Sequence, residues 1–239
     1  MSQIKVTYLD HMGSDLSVVN AARVSFGKKS HCEEIRWVEM GDWSGDIPVV
    51  SQRDANLISY LANHGHISPF GHCFASFHVK APIFVARQLV KHKFLRWNEI
   101  SRRYVDEEPE FYVPKVWRGK AKNKKQGSSD TTVDFLRMQG FGEQTVNDGV
   151  FKHQMHTLDL YRDMITAGVA PEQARMVLPQ STMTEWYWSG SLDAFADMCS
   201  LRLKPDTQYE TRLVAQQISE KMAELFPVSW ASLVTEGDK

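Results

Sequence analysis

The spacing of apolar and polar positions predicts strands near the N-terminus and helices in the second half of the chain. Residues 4–9 alternate and predict a short strand, and a helix is expected at about 15–24. A period of two over residues 73–79 predicts a strand with two different faces, one of them carrying Cys73, Ala75, Phe77 and Val79. Pro82 suits a first helical turn, so a helix is expected from 83 to about 91.

Capping residues and helical spacing predict the remaining elements. Ser51, followed three residues later by Asp54, predicts a helix that ends near His64. Steps of three and four predict a long amphipathic helix over about 143–167, with the apolar positions Phe151, Met155, Leu158, Tyr161 and Ile165. Further helices are expected from Pro171 to before Pro179, from Ser191 through Leu203, and after the capping box Thr207–Glu210. The expected fold class is α+β, a small, mainly antiparallel sheet packed with a mostly helical C-terminal half.

Length and charge exclude several classes of protein. The 239 residues predict one catalytic domain, 1–239, and a net charge of −1 excludes a strongly basic protein that coats nucleic acid. No apolar run is long enough for a membrane span, and the N-terminus lacks the pattern of a secretory signal. Three widely spaced cysteines, Cys32, Cys73 and Cys199, favour a reducing compartment. We therefore expect a cytoplasmic protein.

A basic stretch predicts a mobile loop at about 115–130. It contains six cations and no acid over its first eleven residues: Lys115, Arg118, Lys120, Lys122, Lys124 and Lys125. Such a loop is either a binding element or a surface insertion.

The segment Gln88–Tyr104 carries the strongest candidate chemistry. Six cations or potential cations lie within 13 residues, mixed with Asn98 and Ser101, and these side chains are donors suited to phosphate oxygens. Arg175 and Arg202 stand among apolar or small residues, so each is expected to meet an anion. Simpler interpretations remain. The lysines can form a solvated helix end, Arg202 can complement a helix dipole, and Arg175 can pair with Glu172.

The spacing Lys91-His92-Lys93, seven residues, then Ser101 resembles the signature of the flavin-dependent thymidylate synthases. That family has Arg-His-Arg, seven residues and Ser. The resemblance runs from about residue 18 to 230 through Asn20–Gly27, His64–His72, Phe77–Gln88, Ala174–Pro179, Trp188 and Leu201–Arg202. Lys91 and Lys93 replace two family arginines, which keeps the charge but loses the bidentate fork.

The resemblance implies the reductive methylation of dUMP to dTMP without a cysteine nucleophile. The carbon would come from 5,10-methylenetetrahydrofolate and the hydride from reduced FAD, which NADPH regenerates. It also implies a homotetramer whose active sites combine residues of several subunits.

The same resemblance assigns residues to each ligand. For dUMP it implies Gln88, Glu99, Ser101, Arg103, Arg175 and Arg202. For FAD it implies Ser25, Ser68, Lys91, His92, Lys93, Phe94, Asn98, Glu99, Ser191, Asp197 and Leu201. The resemblance also implies three catalytic candidates. They are Arg202 at the uracil ring, Ser101 as a binding and orienting hydroxyl, and His66 beside the flavin ring.

Other interpretations of the sequence lead to different functions. Phe94, Trp97 and Tyr104 interleave with cations over 91–104, as in a protein that stacks single-stranded nucleic acid. A family member that binds its ligands without turnover is a further alternative. The histidines lack metal-binding spacing, so we expect no metal site.

Overall fold

The computed structural model describes residues 3–41, 43–105, 107–122, 127–138 and 142–234, and within them it contains ten strands and eight helices. The strands are β1 (Lys5–Met12), β2 (Glu34–Met40), β3 (Trp43–Val49), β4 (Phe74–Pro82), β5 (Arg96–Glu99), β6 (Arg118–Lys120), β7 (Ser128–Thr132), β8 (Phe135–Met138), β9 (Gly142–Thr145) and β10 (Met183–Ser191). The helices are α1 (Asp15–Arg23), α2 (Gln52–Asn63), α3 (Ile83–Leu89), α4 (Val146–Thr166), α5 (Pro171–Ala174), α6 (Leu192–Arg202), α7 (Tyr209–Leu225) and α8 (Pro227–Leu233).

Four strands form the main sheet, in the order β1-β4-β10-β5, and every neighbouring pair is antiparallel. The central strand β4 has the predicted period of two. Ala75, Phe77 and Val79 are buried, whereas Phe74 on the other face is exposed. Three hairpins, β2–β3, β6–β7 and β8–β9, stand apart from this sheet. The expected α+β class is therefore confirmed.

Aromatic side chains fill the core between the sheet and the helices behind it. The rings of Trp97 and Trp186 stack at 4.3 Å, and Trp188 packs edge-on against Phe195 of α6 at 5.7 Å. Phe77 of β4 meets the same Phe195 at 5.2 Å. Fully burying each such ring contributes about 1.5–3 kcal/mol. This core anchors β5 and α6, which carry several of the predicted site residues.

The buried face of α4 agrees with the prediction at Leu158 and Tyr161, which are buried, but not at Phe151. The helix begins at Val146 rather than near 143, and Phe151 is exposed while Gln154 is buried. Gln154 is satisfied there because its Nε2 donates to the carbonyl of Tyr112 at 3.3 Å and to Ser181 Oγ at 3.1 Å. A buried amide with distant partners has no signature in the hydrophobic spacing.

The predicted basic loop is in part a hairpin. Its flanks form β6 and β7, and Arg118 is paired with the buried Glu210 of α7 rather than solvated. Lys124 and Lys125 lie outside the described residues. The mobility expected for this segment stays a prediction.

Neither predicted capping box forms completely. Ser51 Oγ does accept the N–H of Asp54, but the Asp54 carboxylate binds Arg23 and Ser30 instead of closing the box. Glu210 is likewise taken by Arg118, and α7 begins after Gln208. Both carboxylates bind side chains of other elements, so neither accepts the backbone N–H that would complete the capping box.

Two features near the chain ends were not predicted at all. The hairpin β2–β3 has no strong alternation, and α8 follows α7 as a separate short helix.

Among the described residues, no helix combines the length and apolar character that a bilayer crossing requires.

Candidate functional site

One cavity of about 700 Å³, called here the Arg202 pocket, gathers four of the predicted site residues. They are Gln88 of α3, Lys91 in the turn after it, and Leu201 and Arg202 at the end of α6. The other lining residues come from the β6–β7 hairpin and from the segment that leads into α7: Arg118, Gly127, Ser128, Lys204, Asp206, Thr207, Gln208 and Tyr209. Residues from distant parts of the sequence therefore form one concave surface.

Arg202 is held in place by two contacts to other elements. Its Nε donates to His92 Nε2 at 3.2 Å, and its Nη2 donates to the backbone carbonyl of Gln88 at 3.3 Å. Burial lowers the pKa of this guanidinium from its usual value. The side chain thus does more than complement the dipole of its own helix, because its partners lie more than 100 residues away.

His92 is a neutral acceptor at physiological pH. Burial, followed by the nearby charge of Arg202, lowers the pKa of the imidazole to about 4. A neutral Nε2 can accept the Arg202 hydrogen bond only if the ring proton sits on Nδ1. The pair fixes both the tautomer of His92 and the direction of Arg202.

We expect this pair to make the protein sensitive to acid between pH 6.5 and 4. The unfolded chain binds a proton on His92 below its ordinary pKa of 6.5, whereas the folded chain does so only near pH 4. The contribution of His92 to the unfolding free energy is therefore complete above pH 6.5 and is lost as the pH falls towards 4. In denaturant unfolding at several pH values, His92→Gln should lose less unfolding free energy between pH 6.5 and 4 than the unmodified protein does. A His92 imidazole resonance that titrates near 6.5 in the folded protein would contradict this.

Gln88 is oriented by the start of α7. Its Nε2 donates to Gln208 Oε1, and its Oε1 accepts the hydroxyl hydrogen of Thr211 at 3.3 Å. These contacts fix the side chain at the wall of the Arg202 pocket.

The charge of the Arg202 pocket suits an anion. Its lining carries four basic side chains, Lys91, Arg118, Arg202 and Lys204, and a single acid, Asp206. A phosphate-bearing ligand would meet several charge-assisted donors there.

A second cavity, of about 620 Å³ and called here the His66 pocket, brings together Ser25, His66 and Ser68. Three cations line it as well: Arg23, Lys28 and Arg53. Its rings include Phe26, Tyr60 and His66, and the last two stack with centroids 6.2 Å apart. Hydroxyls and cations suit a pyrophosphate and the rings suit a flat heterocycle, so this donor set fits a dinucleotide such as FAD.

A third group of predicted residues follows the edge strand β5. Glu99 accepts the hydroxyl of Thr184 at 2.6 Å and the indole N–H of Trp97 at 3.0 Å. Beyond the strand, Ser101 Oγ accepts from the backbone N–H and the Nε of Arg103, at 3.4 and 3.3 Å. These residues are not among those that line the two pockets.

Other predicted residues are not brought to either pocket within one protomer. Arg175 directly follows α5, and its Nε donates to the backbone carbonyl of Glu172, so the simple ion pair with that carboxylate does not form. Ser191 precedes α6 and makes no side-chain cap. Asp197 lies on the outer side of α6, where partial desolvation of the carboxyl and then the charge of Asp193 raise its pKa. Lys93, Phe94 and Asn98 are exposed as well.

The pockets also contain residues that the sequence did not single out. Lys204 adds charge to the Arg202 pocket and Arg53 adds it to the His66 pocket, whereas Arg118 and Arg23 line these pockets paired with Glu210 and Asp54. Arg118 does belong to the conspicuous basic stretch, and Lys204 lies two residues after Arg202. Nothing local distinguishes Arg53 from an ordinary exposed arginine of a helix.

The buried thiols are unsuited to nucleophilic attack. Cys73 and Cys199 are completely buried, as expected for small core residues. Burial, followed by the charge of Asp15, raises the pKa of Cys73 to about 12, and burial raises that of Cys199 as well. A protonated, inaccessible thiol is a poor nucleophile.

Cys32 is the exposed cysteine, and its replacement tests the remaining route to covalent catalysis. We expect Cys32→Ala to retain turnover within about twofold of the unmodified protein, since it lines neither pocket. A steady-state assay of the reaction that the resemblance implies, the formation of dTMP, measures this. Complete loss of activity in a folded variant would show that a thiolate takes part.

The aromatic side chains of 91–104 do not form a common stacking platform. Phe94 and Tyr104 are exposed, but Trp97 lies against Trp186 in the core. Its ring face is therefore already covered, which weakens the nucleic-acid interpretation. Among the described residues there is also no cluster of three potential metal ligands.

Comparison with known proteins identifies relatives along nearly the whole chain. A family model described as "Thymidylate synthase complementing protein" matches residues 7–228. A flavin-dependent thymidylate synthase from Thermus thermophilus is 38 % identical over 227 residues, which cover 95 % of this chain and 74 % of that protein. One from Borreliella burgdorferi is 34 % identical over 232 residues, covering 94 % and 77 %.

A solved structure has the same fold. The crystal structure of a UMP/dUMP methylase, PolB from Streptomyces cacaoi bound with 5-Br dUMP, superimposes with a TM-score of 0.77. The two sequences are 29 % identical, and the match covers 98 % of each chain.

Proposed function

This chain belongs to the family of flavin-dependent thymidylate synthases, and we propose that it converts dUMP to dTMP with FAD as its flavin. As co-substrates we propose 5,10-methylenetetrahydrofolate for the carbon and NADPH for the reducing equivalents. The enzyme class is that of a methyltransferase.

One observation carries the assignment of the substrate site. Gln88, Lys91 and Arg202 line a single cavity with an excess of positive charge. A nucleoside monophosphate offers the matching groups, a dianionic phosphate and a uracil ring with two carbonyl oxygens. The Arg202 pocket is accordingly the proposed dUMP site.

Arg202 is the proposed electrophilic group of the reaction. Its Nε and Nη2 are engaged by His92 and Gln88, which aims the rest of the guanidinium into the pocket. Donors aimed at a uracil carbonyl stabilise the negative charge that develops on that oxygen as the ring is attacked. Because His92 stays neutral, its Nε2 accepts from Arg202 and carries no proton that could be donated to that oxygen.

The remaining residues bind and orient. Gln88 is fixed by α7 and keeps one amide N–H for the nucleotide, while Lys91 and Lys204 supply charge. Ser101 and Arg103 on the segment after β5 are proposed to hold the phosphate.

The His66 pocket is the proposed FAD site. Arg23 and Arg53 would hold the pyrophosphate together with Ser25 and Ser68, and His66 would lie beside the flavin ring. The flavin supplies the hydride when it is bound.

A homotetramer with shared active sites is the proposed assembly. Within one protomer ten of the predicted residues form three separate groups, in the two pockets and along or after β5, and the others lie outside them. Several large apolar side chains near them are exposed, namely Phe26, Phe94, Tyr104 and Met176. Such side chains are typical of surfaces that a neighbouring subunit covers.

The first experiment is a flavin absorbance spectrum of the purified protein titrated with FAD, with and without dUMP. We expect a bound-flavin spectrum that shifts when dUMP is added, because both ligands would share one composite site. Arg162→Ala is a matched control, since this exposed arginine of α4 lines neither pocket. If FAD does not bind under either condition, the proposal is wrong.

A further inference from the structure

Two hydrogen bonds hold the side chain of Glu99, the last residue of the edge strand β5. Its Oε1 accepts the hydroxyl hydrogen of Thr184 at 2.6 Å, and its Oε2 accepts the indole N–H of Trp97 at 3.0 Å. A glutamate on a protein surface ordinarily samples several rotamers in water. Glu99 is an exposed residue, yet both of its carboxylate oxygens are bound to donors of the protein.

The register of the main sheet brings Thr184 to this carboxylate. Glu99 pairs with Trp186 across β5 and β10, so Thr184 lies two residues away on the neighbouring strand and on the same face of the sheet. Thr184 also pairs with Ala81 of β4 and is almost completely buried. Its hydroxyl is therefore a donor with a fixed position rather than a mobile surface group.

The second donor is fixed by aromatic packing. The indole of Trp97 stacks on that of Trp186 with ring centres 4.3 Å apart, and it packs edge-on against Trp188 at 5.7 Å. Such contacts between aromatic rings define the orientation of the indole. The Nε1 of Trp97 therefore points to Glu99 from a rigid part of the core.

The strand β5 has enough other contacts to form without these two hydrogen bonds. It pairs with β10 over four residues, and just beyond its end the N–H of Ile100 donates to the carbonyl of Glu185 at 2.9 Å. Glutamate is also one of the residue types that strands disfavour. The carboxylate of Glu99 thus has a purpose other than the stability of its strand.

We propose that Thr184 is a positioning residue, which holds the Glu99 carboxylate in the orientation that binds the nucleotide. A carboxylate repels a phosphate and accepts from a donor, and dUMP has two donors, the hydroxyl of its sugar and the N–H of its uracil ring. Each oxygen of Glu99 keeps a lone pair after its contact with the protein, so the carboxylate can still accept from dUMP. This inference rests on the proposed function, which supplies dUMP.

The place of Glu99 in the chain agrees with this role. Ser101 and Arg103, which follow it closely, are proposed above to hold the phosphate of the same nucleotide. The carboxylate would then bind the adjoining part of the molecule. Because Thr184 and Trp97 hold Glu99 before the nucleotide arrives, less side-chain entropy is lost on binding.

The test measures the dissociation constant of dUMP by calorimetry on the full-length protein loaded with FAD. Thr184→Val keeps the branched side chain but removes the hydroxyl. It should weaken dUMP binding by about three- to tenfold, the usual cost of immobilising one flexible side chain on binding. KM for dUMP should rise by the same factor with kcat within about twofold, since the lost interaction is one of binding.

Further variants separate positioning from a general effect on the fold. Thr184→Ser keeps the hydroxyl and should bind dUMP within about twofold of the unmodified protein, whereas Trp97→Phe removes the other donor and should weaken binding about as much as Thr184→Val. Thr182→Val is the matched control, because the hydroxyl of this buried threonine donates to the carbonyl of Pro179 and not to Glu99. It should leave dUMP binding unchanged.

A double variant shows whether Thr184 acts through Glu99. In a Glu99→Ala background, Thr184→Val should cause no further loss of dUMP binding, because the group that it positions is absent. The inference is wrong if Thr184→Val binds dUMP as tightly as the unmodified protein, or if it weakens binding equally with and without Glu99. Trp97→Phe decides by the same criteria if the valine variant does not fold.

The proposed function is tested separately by the unmodified protein. If that protein forms dTMP while the variants bind dUMP equally well, only the role of Thr184 fails. If it neither binds dUMP nor forms dTMP, the proposed function fails and the inference with it. The two failures are therefore distinguishable.

Discussion

Replacing Arg202 by alanine is expected to lower kcat for dTMP formation by about 100- to 1,000-fold, the usual cost of removing one donor to a developing oxyanion. The guanidinium is held by His92 and by the carbonyl of Gln88, so its remaining N–H groups have a defined direction. Arg202→Lys keeps the charge but loses the fork, and we expect it to recover only a small part of the rate. Steady-state kinetics with saturating flavin measure both.

The Arg202 prediction needs proof that the variants still fold and bind their ligands. The FAD dissociation constant is expected to stay within a few-fold, because Arg202 does not line the His66 pocket. Arg162→Ala, which removes an exposed arginine paired with Glu108 and Asp159, should leave kcat unchanged. A kcat for Arg202→Ala within about threefold of the unmodified enzyme would rule out the proposed role.

Replacing Asp15 by alanine is expected to lower the free energy of unfolding by about 2–4 kcal/mol. Asp15 is almost completely buried at the start of α1, yet it caps α8: its two carboxylate oxygens accept the N–H groups of Val228 and Ser229, each at 2.9 Å. Alanine would leave both buried donors without an acceptor. Urea unfolding measures the loss.

Two comparisons sharpen the Asp15 experiment. Asp15→Asn keeps one acceptor oxygen and should lose less stability than the alanine variant. Asp10→Ala removes an exposed carboxylate that accepts the neighbouring N–H of His11, so its cost should be below about 1 kcal/mol. An unfolding free energy for Asp15→Ala equal to that of Asp10→Ala would contradict the capping role. The kcat of the folded fraction should not change, since Asp15 lines neither pocket.

The sequence by itself determined the elements whose signal is local. The alternation around Phe77 predicted β4 and its buried face, and Ser51 predicted the start of α2. The spacing of Lys91, His92 and Ser101 identified the family, which the comparisons confirm. The alternation of buried side chains along a strand and the cap of a first helical turn depend only on residues close together in the chain. Both can therefore be predicted from a single sequence.

Only the tertiary structure decided which of the predicted site residues meet. Arg202 lies 110 residues from His92, Arg118 lies 92 from Glu210, and Asp15 lies 213 from Val228. Each pair joins two groups that would be costly to bury alone. The first two also override a local expectation, a contact with the helix dipole for Arg202 and a solvated loop for Arg118. No sequence pattern within a few residues of Arg202, Arg118 or Asp15 indicates the distant partner. The two groups of each pair meet only when the sheet and the helices pack.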